Sequence, residues 1–331
     1  MERFALAAAV VLGFALTAAL CSLFVPLRRV LERREQQQQP VQSEQPRPAP
    51  LRAPLWGGLC AAAGTVAAVG VGWLAACVGQ PELLGSEGRL MTRLLTALAG
   101  SLAFGAVGLA EDLARMRSPA ALGLRRDVRL LLEALAAAFV LLLLQAAGCL
   151  PRGLDVPGAG YVLLGSAVPF LWAVLMVALA ECARIAERDE GTVCGAAFVA
   201  MLALMMAEAG LGVPGLAVLP AALAGALVAL LLWAFPPARL GVGCCGSLLA
   251  AGAIGCIPLS LDMTSLTVPL ALPFWAAGGL LAAQLLGAKR TGKPLRCWVK
   301  KHKMSPETVF LCSFALSAVG YVLALALLRW C

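Results

Sequence analysis

A short polar stretch between two long apolar runs carries the densest set of reactive side chains in the chain. Residues 181–191 read Glu-Cys-Ala-Arg-Ile-Ala-Glu-Arg-Asp-Glu-Gly. Carboxylates supply the oxygen ligands that Mg²⁺ prefers, and arginines bind phosphate groups. The spacing also allows a self-paired ionic network, because Glu181 and Glu187 lie three residues on either side of Arg184. The candidate residues of this stretch are Glu181, Arg184, Glu187 and Glu190.

A second acidic pair, Glu111 and Asp112, ends another apolar run and is followed by Arg115. The pair fits either a site for metal and lipid phosphate or a solvated pair at a helix end. His302 is the only histidine and lies in a Lys-rich segment, which excludes Ser-His-Asp and Cys-His catalysis. The twelve cysteines are scattered through apolar runs, so we interpret them as small buried hydrophobic residues.

The elements that position these side chains are predicted to be membrane helices. The 331 residues are 61% hydrophobic and 13% charged, with a mean hydropathy of +0.88. This composition predicts an all-α integral membrane protein that forms a single polytopic domain over residues 1–331. The net charge of +8 indicates cytoplasmic loops in contact with membrane lipid and no nucleic-acid partner.

Apolar runs of spanning length predict about ten transmembrane helices. They cover residues 4–26, 55–78, 94–110, 128–148, 161–180, 192–210, 214–233, 243–261, 267–287 and 309–328. Most Lys and Arg residues fall in alternate loops, so the positive-inside rule predicts five cytoplasmic loops and two outward termini. Residues 27–54, rich in Pro and Gln, are predicted to be a flexible cytoplasmic loop.

Four further stretches, which lie in order near the ends of predicted helices, resemble the motifs of a known family. They are Ala-Pro-Leu-Trp-Gly-Gly-Leu at 53–59, Gly-Leu-Ala-Glu-Asp at 108–112, the segment from Phe-Pro-Pro-Ala-Arg to Gly-Cys-Cys-Gly-Ser at 235–247, and Lys-Arg-Thr-Gly-Lys-Pro-Leu at 289–295. Together with residues 181–191, they resemble the motifs of the polyprenyl-phosphate phosphosugar transferases, glycosyltransferase family 4, with the muramoyl branch closest. The resemblance covers nearly the whole chain.

This resemblance implies a bacterial plasma-membrane enzyme of cell-wall precursor synthesis. It implies a reaction that moves a phosphosugar from a UDP-sugar to polyprenyl phosphate, releases UMP and uses Mg²⁺. The residues implied are Glu111, Asp112, Glu187 and Glu190 for catalysis, Glu111, Asp112 and Glu187 for the metal, and Arg115, Glu181, Arg184 and Arg296 for substrate.

The chain also departs from the family pattern. Cys244 stands where the family has a magnesium-binding aspartate, and Arg296-Cys297-Trp298 stands where it has three histidines. A thiol is a poor ligand for Mg²⁺, which prefers oxygen. Two alternatives therefore stay open: a catalytically inactive relative that binds lipid, nucleotide or a protein partner, and a membrane transporter with helices broken near the midplane. The oligomeric state, a homodimer included, is also open.

Overall fold

The computed structural model describes residues 2–38, 56–79, 88–117, 123–151, 153–156, 160–163, 165–187, 191–213, 215–235, 238–286 and 305–330. The helices are α1 Glu2–Gln38, α2 Gly57–Gly79, α3 Gly88–Arg117, α4 Arg126–Ala146, α5 Ala167–Ala186, α6 Thr192–Gly210, α7 Val218–Ala234, α8 Gly243–Ser260, α9 Thr267–Leu270, α10 Leu272–Leu286 and α11 Pro306–Trp330. A 3-10 turn covers Thr264–Leu266, and the strands are β1 Gly153–Val156 and β2 Gly160–Leu163.

The long helices of the described residues are apolar enough for a membrane. Seven of them have the length and composition to cross it, namely α1, α2, α3, α5, α6, α8 and α11, and α7 is a shorter apolar helix. Backbone groups in lipid need internal hydrogen bonds, which an α-helix supplies within one segment. The predicted multi-pass helical membrane architecture is therefore confirmed, with seven candidate spans in this part of the chain.

Helix α8 forms the centre of the bundle, since all its residues are buried. Its most extensive contact is with α3, and it also packs against α2, α5 and α6. Small residues make this packing possible: a Cβ added at Gly108 of α3 would overlap the carbonyl oxygen of Cys244, and one at Gly58 of α2 would overlap the amide nitrogen of Gly246. Close backbone approach of this kind is how small residues hold membrane helices together.

A two-stranded antiparallel hairpin interrupts the helices, with Gly153 paired to Leu163 and Val156 paired to Gly160. The sequence predicted a span that starts at residue 161, and this start was wrong. Residues 161–163 belong to β2, and α5 begins at Ala167. The error has a physical reason, because a short apolar run cannot be assigned to strand or helix by periodicity alone.

Several helices differ in length from the predicted spans. Helix α3 ends at Arg117 rather than at 110, which brings the acidic pair and the arginine after it onto the helix. Helix α1 continues to Gln38, into the stretch expected to be a loop, and residues 39–55 lie outside the described part. The predicted span 267–287 is divided at Ala271 into α9 and α10.

Candidate functional site

Asp112, near the end of α3, lies against the first turn of α8. One carboxylate oxygen accepts a hydrogen bond from the amide of Cys244 at 3.1 Å, and the other accepts one from the amide of Cys245 at 2.9 Å. The first amides of a helix have no partner within the helix and lie at its positive end. Gly243, at φ +73°, makes the turn that presents these amides. Asp112 is therefore a helix cap supplied by another helix.

Glu111 and Arg115 form an ion pair one helical turn apart. The Arg115 Nη2 atom donates to Glu111 Oε1 at 2.6 Å, and Arg115 Nη1 lies 3.8 Å from Asp112 Oδ1 and 3.9 Å from Glu187 Oε2. Glu187 is the residue that follows the last turn of α5. Arg115 therefore joins the end of α3 to the end of α5 through carboxylates.

Arg129, in the first turn of α4, extends this network to a second side. Its Nε atom donates to Glu181 Oε1 at 2.7 Å and lies 4.0 Å from Glu133 Oε1, and its Nη1 atom lies 3.7 Å from Glu111 Oε1. Arg184 donates to the other oxygen of Glu181, as their three-residue spacing predicts. We call this set the charged cluster: Glu111, Asp112, Arg115, Arg129, Glu133, Glu181, Arg184 and Glu187.

The charged cluster brings together most of the residues that the sequence singled out. Six predicted site residues meet there, namely Glu111, Asp112, Arg115, Glu181, Arg184 and Glu187. Glu190 and Arg296 lie outside the described residues. Sequence reasoning missed Glu133 and did not include Arg129 among the site residues. Their signal was available, because two opposite charges four residues apart inside an apolar helix indicate a buried pair.

The described residues do not fit a magnesium ion. Among them, no group of three His, Cys, Asp or Glu side chains is arranged to hold a metal. Both oxygens of Asp112 accept backbone amides, and Glu111 and Glu181 face guanidinium groups. Cys244 is buried and offers sulfur where Mg²⁺ requires oxygen. A catalytic Mg²⁺ therefore has no suitable set of ligands among the described residues.

Comparison with known families bears on the same region. The profile described as glycosyl transferase family 4 matches residues 94–262, just over half of the 331 residues. The chain belongs to glycosyl transferase family 4. The match runs from α3 to the end of α8 and includes every residue of the charged cluster. The family resemblance in the sequence motifs is thereby confirmed.

Individual members of glycosyl transferase family 4 are similar at modest identity. A phospho-N-acetylmuramoyl-pentapeptide-transferase of Mycobacterium bovis (strain BCG / Pasteur 1173P2) is 28% identical over 265 residues, which cover 72% of each chain. The transferase of the same name from Synechococcus sp. (strain RCC307) is 30% identical over 212 residues, 63% of this chain and 55% of the relative. That of Desulforudis audaxviator (strain MP104C) is 32% identical over 170 residues, 48% of this chain and 50% of the relative.

Proposed function

We propose that this member of glycosyl transferase family 4 is a non-catalytic relative that binds a phosphate-bearing polyprenyl lipid at the cytoplasmic face of the bacterial plasma membrane. One observation carries the proposal. Where the family resemblance expects a magnesium-binding aspartate, Cys244 stands in the first turn of α8, and the two oxygens of Asp112 accept hydrogen bonds from the amides of that turn. A carboxylate held by two backbone amides is a structural cap and is poorly placed to gather a cation.

Exposed arginines near the charged cluster support the lipid as the bound molecule. Arg117 ends α3, Arg126 begins α4, and both are exposed, as is Arg125 between them. Basic residues at a membrane surface attract anionic lipid headgroups by roughly 1 kcal/mol each. The Arg115 side chain is 20% exposed, so its guanidinium can meet a phosphate at the edge of the cluster. This proposal includes the ten-span arrangement, with cytoplasmic odd loops and outward termini.

A second candidate is the family reaction itself. In it, a phosphate oxygen of polyprenyl phosphate forms a bond to the sugar-linked phosphorus of a UDP-sugar, and the bond to UMP breaks. The names of the relatives favour it, as does Glu111 Oε2, which is buried and accepts no hydrogen bond from the described residues. A Mg²⁺ site for this reaction requires donors beyond the described part, Glu190 among them.

Transport is the weakest of the alternatives. A transporter of repeated halves places broken helices near the midplane at related positions. The break at Ala271 follows the turn after α8, and the charged cluster lies where α3 and α5 end and α4 begins. Polar groups at helix ends favour a site on the membrane face over a path through the membrane.

The deciding experiment supplies the purified full chain with undecaprenyl phosphate, UDP-MurNAc-pentapeptide and MgCl₂. We expect saturable binding of the lipid, measured by native mass spectrometry, with no UMP release and no lipid-linked product. An authentic transferase of the family, assayed in parallel, shows that the conditions support the reaction. Magnesium-dependent UMP release that Glu111→Gln abolishes would establish the second candidate instead.

A matched pair of variants tests the binding surface. Arg115→Gln removes the guanidinium at the cluster edge and is expected to weaken binding of undecaprenyl phosphate about tenfold, the loss of one charge-assisted contact. Arg329→Gln removes an exposed arginine from the last turn of α11 and serves as the control. Equal affinities for the two variants would remove Arg115 from the lipid site.

A further inference from the structure

Arg129 is a buried cation placed between three helices. The residue is 7% exposed and lies in the first turn of α4. Each of its charged contacts comes from a different helix: Glu181 from α5 at 2.7 Å, Glu111 from α3 at 3.7 Å and Glu133 from α4 itself at 4.0 Å. A single guanidinium thus faces three carboxylates.

Two of these carboxylates, those of Glu133 and Glu111, need a counter-charge because they are withdrawn from water. Glu133 is 0% exposed, and neither of its oxygens accepts a hydrogen bond from the part of the chain that the structure describes. Glu111 is 2% exposed, with one oxygen in the same situation. A buried carboxylate is strongly destabilising unless a cation accompanies it or it takes up a proton. The cation can be a metal ion or a side chain.

We propose that Arg129 is a positioning residue that acts as a fixed internal cation. Its guanidinium gathers Glu111, Glu133 and Glu181 in the way that a bound divalent metal ion gathers carboxylates, so the charged cluster assembles without metal. Arg129 determines how the carboxylates are held, whichever lipid the site binds. Its presence among them also explains why the described residues do not fit a magnesium ion.

Arginine is suited to this position by its shape. The planar guanidinium carries five N–H donors in a rigid arrangement, so it addresses carboxylates on several sides at once. Arg129 uses both Nε and Nη1 toward the cluster. Arg115 and Arg184 complete the compensation from α3 and α5, each bound to a carboxylate that Arg129 also faces.

The test measures thermal unfolding of the purified full chain in EDTA, in MgCl₂ and in MnCl₂. The wild-type protein is expected to unfold at the same temperature in all three. Arg129→Met leaves three carboxylates with one guanidinium fewer, and its Tm in EDTA is expected to fall by about 10 °C. MnCl₂ is expected to recover part of that loss in a saturable manner, with immobilised Mn²⁺ visible by electron paramagnetic resonance.

Arg117→Met is the matched control, since Arg117 is exposed at the end of α3. It is expected to leave both Tm and the absence of a Mn²⁺ response unchanged. A saturable rise in the Tm of the wild-type protein with Mg²⁺ or Mn²⁺ would overturn the proposal, as would an Arg129→Met protein that unfolds like the control.

A double variant guards against loss of folding. Arg129→Met combined with Glu133→Gln removes one of the three carboxylates along with the cation, and we expect it to be more stable than Arg129→Met alone. A double variant that is no more stable than the single one would mean that charge compensation is not what Arg129 contributes.

Discussion

The carboxylates buried at the two ends of the helical bundle have different neighbours. In the charged cluster, guanidinium groups from α3, α4 and α5 face the carboxylates, and the amides of α8 hold Asp112. At the opposite end, Glu208 of α6 is 1% exposed, and its Oε2 atom accepts no hydrogen bond from the described residues. Burial of an acidic residue therefore does not by itself mark a site. What distinguishes the charged cluster is that its neighbours bring cations and backbone donors to the carboxylates.

The largest effect is expected at the cap of α8. Asp112→Ala leaves the amides of Cys244 and Cys245 buried without an acceptor, and we expect a loss of about 3 kcal/mol in the free energy of unfolding. The control Asp127→Ala removes an exposed carboxylate from the first turn of α4 and should cost about 0.5 kcal/mol. Chemical denaturation of both variants gives the difference. Similar losses would mean that the two hydrogen bonds to α8 contribute little.

The seam between α3 and α8 is the next most sensitive feature. Gly108→Ala forces a methyl group onto the Cys244 carbonyl and should destabilise the protein by about 2 kcal/mol. Gly70 is exposed in the middle of α2, and nothing lies within 4 Å of a Cβ added there. Gly70→Ala should therefore stabilise the protein by about 0.5 kcal/mol. Thermal unfolding distinguishes the two signs, and a stable Gly108→Ala protein would contradict the close backbone approach.

The comparison of the two ends can be tested directly with one substitution at each. Glu181→Gln deprives Arg129 and Arg184 of their shared carboxylate and should lower the unfolding free energy by roughly 1–2 kcal/mol. Glu208→Gln removes a buried charge and should leave stability unchanged or raise it by up to about 1 kcal/mol. If Glu208→Gln lowers the unfolding free energy more than Glu181→Gln does, the carboxylate at the opposite end is stabilised at least as strongly as that of Glu181 in the charged cluster.

The smallest effect is expected at the hairpin. The Tyr161 hydroxyl lies 3.5 Å from Asp262 Oδ2, at the limit of a hydrogen bond and exposed to solvent. Tyr161→Phe should therefore change the unfolding free energy by less than about 0.5 kcal/mol. A loss of unfolding free energy as large as that of Glu181→Gln would mean that the hairpin stabilises the protein more than its contacts indicate.

Local patterns in the sequence predicted much of this structure. The span 192–210 coincides with α6, because a continuous apolar run there is bounded by polar or glycine residues on both sides. The Glu181–Arg184 pair follows from helical spacing within one element. Such features depend on neighbours within a few residues, which the sequence displays directly.

Local sequence patterns did not predict the contacts between distant parts of the chain. Arg129 contacts Glu181, which lies 52 residues further along the chain, and the packing of α4 on α5 brings the two side chains together. The hairpin at 153–163 was missed because its strands are only four residues long. The family motifs pointed to Asp112 and to Cys244 separately, but the cap between them could be seen only in three dimensions.

The cap of α8 also has a consequence for the order in which the chain is assembled. Asp112 and Cys244 lie 132 residues apart, so the carboxylate enters the membrane region well before the amides that donate to it are synthesised. Until α8 arrives, the end of α3 carries an acidic group without those partners, which favours keeping it at the water boundary. Insertion of the central helix is thereby linked to closure of the site, and a chain truncated before residue 243 cannot complete either.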